Sequence, residues 1–310
     1  MSIGNSRPSV VCIASWNVDL IAYIEQPLRR GETQLAPQFE RLPGGKGSNA
    51  AIAAARMGAE VGLIARVGGD EFGLMGLDLW QKEGIHSQYV VRGQDEMNGT
   101  ALILVYADGD NSIAVYPGAG AGLSTDHVLA AQDMLANAKV VMASCEVPLP
   151  ATQMAFEIAK KSGVQTLLNP APAVPMPDAL WPLIDVLTPN EEELLQLANE
   201  GDVHTAARQL LERGVGAVVV TLGPQGCALF RLHQSEIRTA GHDMKVKDTI
   251  GAGDTFTGAL AAQLSMGSAW HEALQFANAA AALSTLAHGA VSAMPRRSVV
   301  ENWLVQMLRA

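Results

Sequence analysis

The segment from Asp248 to Asp254 combines residue types that could carry out phosphoryl transfer. It reads Asp-Thr-Ile-Gly-Ala-Gly-Asp, and the apolar run without proline that follows it predicts a helix. The backbone N–H groups of Gly251 to Asp254 would then lie unpaired at the helix N-terminus, where they attract anions, phosphates above all. A carboxylate there would repel a bound phosphate, but it could act as the base that activates a hydroxyl group. The alternative is that Asp254 only caps the helix.

Further polar residues follow segments that have the composition of buried parallel strands. In an open α/β sheet the carboxyl ends of such strands meet along one edge, where ligands bind. The residues concerned are Asn17 with Asp19, Glu146, Asn169, Asn190 with Glu193, and Thr221 with Gly223. We therefore expect these side chains to converge on one edge of a sheet.

Several of these positions have two interpretations that the spacing leaves open. Asn190 and Glu193 lie one helical turn apart and could hold a hydrated magnesium ion, or they could cap a helix. Asn49 precedes an alanine-rich run and could bind a sugar hydroxyl or cap that helix, and Lys46 could bind a ligand or be solvated. The segment 221–226 could approach a nucleotide or form an ordinary turn.

The order of the predicted elements indicates an α/β fold. From Ser124 onward, short apolar strands at 139–143, 165–168, 185–187 and 217–221 alternate with helical patterns, the first of them at 124–136. A further strand is predicted at 236–247, and a helix at about 268–287. Such alternation implies a doubly wound, mostly parallel sheet with helices on both faces. Two less regular segments, about 18–42 and 98–118, fit short antiparallel strands, and the second contains the hairpin signal Asp108-Gly109-Asp110-Asn111. We expect these segments to form a small β lid on a single domain spanning residues 1–310.

Composition restricts the partners. The chain has 310 residues, 48% of them hydrophobic, and a net charge of −10, which argues against nucleic acid or an anionic membrane surface. A phosphate-bearing substrate would therefore have to be held locally by helix ends, backbone amides and a metal ion. We find no signal-peptide pattern and no apolar run of membrane-spanning length, so we expect a soluble, cytoplasmic protein.

The chain resembles the ribokinase-like, or phosphofructokinase-B-type, family of sugar kinases from its first strand to about Pro295. Two family signatures occur in order: Gly44-Gly45-Lys46-Gly47-Ser48-Asn49 near the start, and the segment Asp248 to Asp254 near the end. Asn17-Val18-Asp19, Leu168-Asn169-Pro170-Ala171-Pro172 and Thr188-Pro189-Asn190-Glu191 are similar to the pentose kinases of that family.

The resemblance implies an ATP-dependent transfer of the γ-phosphoryl group to the terminal hydroxyl of a pentose, D-ribose first. Asp254 would be the catalytic base, and Gly251, Ala252 and Gly253 would form the anion hole. The other implied ligands are Asn17, Asp19, Gly45, Lys46, Asn49, Glu146 and Asp254 for the sugar; Asn190, Thr221, Gly223, Gly226, Gly253 and Asn278 for ATP; Asn190 and Glu193, through water, for Mg²⁺; and Asp248, Ile250, Ser284, Ala287 and Gly289 for K⁺.

Two positions depart from the family pattern. Ala293 stands where the family usually has a serine near the cation, and Asn278 replaces a histidine near the adenine.

The resemblance also implies a homodimer in which two lids pack together. Apolar lid residues such as Ile21, Tyr23, Ile103 and Val105 support this expectation, because a small sheet cannot bury such a face by itself.

Three alternatives remain. The first is another kinase of the same fold, acting on deoxyribose, fructose, a sugar phosphate or adenosine; Arg29, Arg30 and Arg41 near the lid could serve a sugar phosphate or be surface charges. The second is a non-catalytic sugar- or nucleotide-binding regulator, which we would expect to lack Asp254 or the glycines. The third, a nicotinamide-dependent dehydrogenase, lacks its Gly-x-Gly-x-x-Gly fingerprint in this chain.

Overall fold

A computed structural model describes residues 8–307 of the chain, and its main feature is a nine-stranded sheet. Within these residues the strands are β1 (Val10–Ala14), β2 (Asn17–Tyr23), β3 (Gln38–Gly44), β4 (Val61–Gly68), β5 (His86–Gly93), β6 (Gly99–Val105), β7 (Asn111–Tyr116), β8 (Val140–Ser144), β9 (Gln165–Asn169), β10 (Val186–Leu187), β11 (Ala217–Thr221), β12 (Gly226–Phe230) and β13 (Ile237–Ala240). The order across the main sheet is β13-β12-β11-β10-β9-β8-β1-β4-β5. All neighbours from β11 to β5 are parallel, and β12 and β13 extend the sheet antiparallel.

Helices cover both faces of this sheet. They are α1 (Lys46–Arg56), α2 (Glu71–Lys82), α3 (Thr125–Ala130), α4 (Gln132–Ala136), α5 (Leu149–Lys161), α6 (Glu191–Ala198), α7 (Val203–Glu212), α8 (Ala252–Ser265), α9 (Trp270–Ser284), α10 (Ala290–Ala293) and α11 (Arg297–Met307). One apolar cluster joins the sheet to α1, α8 and α9, and the other joins it to α3 through α7. Central strands such as β1 and β8 are buried at every residue, because both of their faces are covered. The predicted doubly wound architecture is therefore confirmed.

Some predicted boundaries are wrong for local reasons. The edge strand β5 was not predicted, because its half-exposed sequence His-Ser-Gln-Tyr-Val-Val-Arg-Gly has only a weak apolar signal. The predicted strand 236–247 ends at Ala240, after which the backbone leaves the sheet. The predicted helix 124–136 is interrupted at Ala131, and the predicted helix 268–287 ends at Ser284.

The second sheet has four strands in the order β3-β2-β6-β7 and contains the two segments predicted to form a small lid. Its outer pairs are antiparallel, whereas the central pair β2–β6 is parallel. Residues paired across the strands share a face, so Asp19 lies on the same face as Ala101 and Val115, and Ile21 lies beside Ile103 on that face.

The apolar residues expected to form an uncovered face of this sheet are less exposed than predicted. Ile21 is buried, with 5% of its surface accessible, and Ile103 and Val105 are half-buried. The exposed apolar side chains of the same face are instead those of Ile113 and Val115, at 57% and 60% exposure.

In residues 8–307 no helix combines the length and the apolar character needed to cross a membrane.

Candidate active site

Asp254 lies in the first turn of α8, at the carboxyl edge of the main sheet. The helix begins after Gly251, whose φ of 74° is in the left-handed region, and no side chain caps it. The carboxylate of Asp254 instead accepts a hydrogen bond from Asn49 Nδ2 at 2.9 Å. Only 6% of the Asp254 surface is accessible. The capping alternative is therefore not observed, and the first turn of α8 presents backbone N–H groups beside a buried carboxylate.

Asn49 and Lys46 lie in the first turn of α1, directly after β3, and α1 packs against α8. The N–H of Lys46 donates to Glu146 Oε2 at 2.8 Å, and Gly45 approaches the chain so closely that a Cβ there would lie 2.8 Å from the carbonyl oxygen of Ser15. Its φ of 92° also favours glycine. This geometry explains why glycine directly precedes Lys46.

Ser15 is a site residue to which the sequence reasoning gave no role. Its hydroxyl donates to Glu146 Oε2 at 2.7 Å and accepts from the N–H of Gly47 at 3.1 Å, and its carbonyl accepts from the N–H of Ser48 at 3.1 Å. Ser15 thus orients the Glu146 carboxylate relative to the start of α1. The only signal for it in the sequence is a polar residue directly after a buried strand.

The ammonium group of Lys46 interacts with four carboxylates. Burial alone would lower the pKa of Lys46, but Asp254, Glu146, Glu193 and Asp19 act in the opposite direction, and the net result is a raised pKa. Lys46 therefore stays positively charged. Its electrostatic interaction with these four carboxylates contradicts the alternative of a solvated surface lysine.

Burial also raises the pKa of three of these carboxyl groups. Burial is the largest cause for Asp254, whose pKa rises from 3.8 to about 6 although Lys46 and the Asn49 hydrogen bond act to lower it. Asp19 behaves in the same way, with a pKa raised to about 6 by burial and by the charge of Glu146. Burial and the charge of Glu192 likewise raise the pKa of Glu193. A carboxyl group that ionises near neutral pH is suited to accept a proton from an alcohol.

Asn17 and Asp19 lie within β2, next to two glycines that leave room for their side chains. A Cβ at Gly44 would lie 2.4 Å from Asp19 Oδ1, and one at Gly99 would lie 2.1 Å from Asn17 Oδ1. The expectation that both residues follow β1 is confirmed, although they belong to the second sheet rather than to a loop.

The residues predicted to meet the nucleotide lie around the ends of β10 and β11. Asn190 and Glu193 form a reciprocal capping box at the start of α6, with Asn190 Oδ1 accepting at 2.7 Å and Glu193 Oε2 accepting at 2.9 Å. Asn190 also pairs with Thr221 in an isolated parallel bridge. The two interpretations of Asn190 and Glu193 are compatible, because the box uses one oxygen of the Glu193 carboxylate.

Three further nucleotide candidates differ in their surroundings. Gly223 is exposed and has a φ of 55°, whereas a Cβ at Gly226 would lie 2.0 Å from the carbonyl of Thr239. Asn278 in α9 donates to the carbonyl of Ala240 at 2.8 Å. Gly226 and Asn278 thus both contact β13, which follows the turn.

The predicted cation ligands are only partly brought together. Asp248 accepts hydrogen bonds from the N–H groups of Ile250 and Gly289, each at 2.9 Å. In contrast, the hydroxyl of Ser284 donates to a carbonyl of its own helix, and Ala287 is exposed. Hydrogen bonds therefore join Asp248 to Ile250 and Gly289. On the other side, the carbonyl of Thr285, next to Ser284, accepts from the N–H groups of Lys247 and Asp248 at 2.8 and 3.3 Å.

A doubly wound sheet whose edge carries an open helix N-terminus, a buried carboxylate and a charged lysine defines a phosphotransferase type of site. Residues 7–297 match the model of the pfkB family carbohydrate kinases. The chain belongs to this family and is a carbohydrate kinase.

Individual relatives agree with this assignment over nearly their whole length. A ribokinase from Staphylococcus aureus is 37% identical over 293 residues, which are 92% of this chain and 96% of the relative. A deoxyribokinase from Salmonella typhi is 34% identical over 295 residues, 92% of this chain and 95% of the relative. The solved structure of an Arabidopsis thaliana ribokinase complexed with ribose and ATP superposes with a TM-score of 0.90 at 32% identity, covering 96% of this chain and 99% of that one.

Proposed function

We propose that the protein phosphorylates the terminal hydroxyl of D-ribose with ATP and releases ribose 5-phosphate and ADP. The observation that carries this proposal is the Asn49–Asp254 pair at the N-terminus of α8, because it joins the two family signatures in one buried hydrogen bond of 2.9 Å. The ribokinases among the relatives, and the ribose and ATP in one of them, support the choice of substrate.

The sugar pocket is built to recognise hydroxyl groups. Asn49 Oδ1 is buried and accepts no hydrogen bond from any residue in the range 8–307, so it is available to a substrate hydroxyl. The carboxylates of Asp19 and Glu146, whose charges also act on Lys46, are acceptors of the same kind. Since a site of this kind leaves buried polar groups unpaired when a hydroxyl is missing, it favours a fully hydroxylated sugar.

The catalytic step follows from the positions of these groups. Asp254 takes the proton of the terminal hydroxyl as the oxygen attacks the γ-phosphorus, and the N–H groups of Gly251, Ala252 and Gly253 stabilise the negative charge on the transferred group. Gly253 suits this role because it is exposed and a Cβ there would meet nothing within 4 Å. Lys46 lowers the energy of the ionised Asp254 and balances the charge of the incoming phosphates.

Two cations fit the chemistry of the residues present. Asn190 and Glu193 would hold Mg²⁺ through water, since oxygen donors and few direct protein ligands suit this ion. Asp248, Ile250 and Gly289 would contribute to a K⁺ site, although Ala293 offers no hydroxyl to it. Mg²⁺ supplies charge neutralisation of the ATP phosphates, and the adenine would lie near Thr221, Gly226 and Asn278.

The four-stranded sheet would act as a lid and as a dimer interface. Its Asp19-bearing face carries the exposed side chains of Ile113 and Val115, which a second copy of the same sheet could cover. Ile113→Asp should therefore shift the protein from dimer to monomer in sedimentation velocity. A monomeric wild-type protein at micromolar concentration would contradict this part of the proposal.

Two other substrates are distinguished by specific observations. A sugar phosphate loses one of its three candidate arginines, because Arg41 lies on the face of the lid opposite to Asp19, where it pairs with Glu71 at 3.6 Å and stacks over Phe72. Deoxyribose is the second candidate, because a deoxyribokinase matches almost the whole chain.

The test is a coupled assay of ADP formation with ribose, deoxyribose, fructose and adenosine, each with and without K⁺. We expect ribose to have the highest kcat/KM and K⁺ to increase the rate. Asp254→Asn is the control for contaminating kinases. Higher kcat/KM for deoxyribose would move the assignment to the second candidate, and no turnover of any sugar would overturn the proposal.

A further inference from the structure

A buried arginine at the far end of α1 binds the segment that packs against the anion hole. Arg56 is the last residue of this helix, and its side chain is 12% exposed. The guanidinium pairs with both carboxylate oxygens of Glu83, Nη2 to Oε1 at 2.6 Å and Nε to Oε2 at 3.1 Å. Its Nη1 donates to the carbonyls of Val291 at 2.6 Å and Met294 at 2.9 Å.

These contacts fix the orientation of the segment 289–294. The helix α10 has only four residues, so its last carbonyls need donors from outside the helix. Arg56 supplies them, and a planar guanidinium held at a carboxylate by two hydrogen bonds cannot rotate freely. Glu83 is 9% exposed and the hydrogen bond from Arg56 lowers its pKa, so the pair stays ionised.

The first residues of the same segment contact the loop Asp248 to Gly251 that precedes α8. The N–H of Gly289 donates to Asp248 Oδ2 at 2.9 Å, and Ala290 packs so closely on Gly251 that a Cβ at Gly251 would lie 2.6 Å from the Cβ of Ala290. Thus Arg56 and Gly251 contact the same short segment, Arg56 at its last residues and Gly251 at Ala290. The arginine itself is far from the substrate, because ten residues of helix, about 15 Å, separate it from Lys46.

We propose that Arg56, oriented by Glu83, is a positioning residue for phosphoryl transfer, which acts by holding the segment 289–294 against Gly251 and Asp248. Without it the carbonyls of Val291 and Met294 lose their donor, and the segment can move away from the anion hole. Small displacements of groups that stabilise the transition state cost rate rather than substrate affinity. The inference rests on the proposed phosphoryl transfer at Asp254.

The experiment compares Arg56→Met, Arg56→Lys and Glu83→Gln with the wild-type enzyme, well below the unfolding temperature of each. We expect Arg56→Met to lower kcat by about 10- to 100-fold, with the Kd of the sugar from calorimetry unchanged within about threefold. Arg56→Lys should be intermediate, because lysine keeps the charge but cannot make the paired contacts. In all three variants the K⁺ concentration for half-maximal rate should increase.

The control is Arg213→Met on the other face of the sheet. Arg213 pairs with Asp178 at 3.2 Å and stacks over Trp181 at 4.7 Å, so its loss should lower Tm without changing kcat or the K⁺ response. An Arg56→Met enzyme that loses only Tm, as this control does, would overturn the inference.

If Arg56→Met does not fold, amide hydrogen exchange in the other two variants tests the role of Arg56. The amides of Gly289 and Val291 should exchange faster in Arg56→Lys and Glu83→Gln than in the wild type. Unchanged exchange together with unchanged kcat in both variants would overturn the role of Arg56. A wild-type enzyme that turns over no sugar would instead overturn the proposed function.

Discussion

Replacing Asp254 by asparagine should separate the cost of burying a carboxylate from its use in catalysis. Burial raises the pKa of Asp254 from 3.8 to about 6 in spite of Lys46 and Asn49, so the ionised form is disfavoured in the folded protein. At about 1.36 kcal/mol per pH unit, this difference corresponds to about 3 kcal/mol of lost stability at neutral pH. Asparagine keeps the size and an oxygen for Asn49 Nδ2, but it carries no charge.

The stability gain should depend on pH in a defined direction. Because the pKa of Asp254 is higher in the folded state, the folded protein binds more protons between pH 4 and 6, and the wild type loses stability as the pH rises through this range. Asp254→Asn should therefore be more stable than the wild type by about 1 kcal/mol at pH 4.5 and by about 3 kcal/mol at pH 7.5. The same variant should lose a factor of about 10² to 10⁴ in kcat, because the base is gone.

Urea unfolding at the two pH values, without ligands, measures the first effect, and steady-state kinetics with calorimetric sugar binding measures the second. The exposed Asp78→Asn is the matched control and should change neither quantity. Equal stability of wild type and Asp254→Asn at pH 7.5 would refute the argument from burial. Near-normal kcat would refute the assignment of Asp254 as the base.

Three further predictions concern neighbouring groups. The kcat/KM for sugar should fall below an apparent pKa near 6, since both Asp254 and Asp19 have pKa values raised to about 6 by burial, and a pH–rate profile at saturating MgATP measures this. Ser15→Ala removes the hydroxyl that orients Glu146, so calorimetry should detect weaker sugar binding, by about three- to tenfold, because one charge-assisted hydrogen bond is lost. Gly251→Ala forces alanine into a φ of 74°, and urea unfolding should give a loss of roughly 1–3 kcal/mol together with a lower kcat.

Much of the fold followed from local patterns because buried strands and amphipathic helices have strong periodic signals. The parallel strands were predictable since a strand covered on both faces must be apolar throughout, as β1 and β8 are. The edge strand β5 has one open side and mixed polarity, and so its sequence resembles that of a loop. The parallel pairing of β2 with β6 could not be predicted from local patterns either, because it joins segments about eighty residues apart.

The residues of the candidate site could also be predicted only in part from the sequence. Both signature segments could be found from residue types, but the hydrogen bond between Asn49 and Asp254 joins positions 205 residues apart and became known only from the fold. Ser15 gave no specific signal, since a serine after a strand has many ordinary roles. Its importance depends on Glu146, which lies in the turn after β8, 131 residues later in the chain.

The segment around α10 is the part of the site that sequence reasoning could describe least, and the reason is chemical. It contributes backbone groups, the N–H of Gly289 and the carbonyls of Val291 and Met294, and backbone groups are the same in every residue. What makes them specific is their partners, Asp248 on one side and Arg56 on the other. An arginine at the end of an alanine-rich helix is an ordinary surface residue by its sequence pattern, and only the meeting of three distant segments makes it a candidate for control of the anion hole.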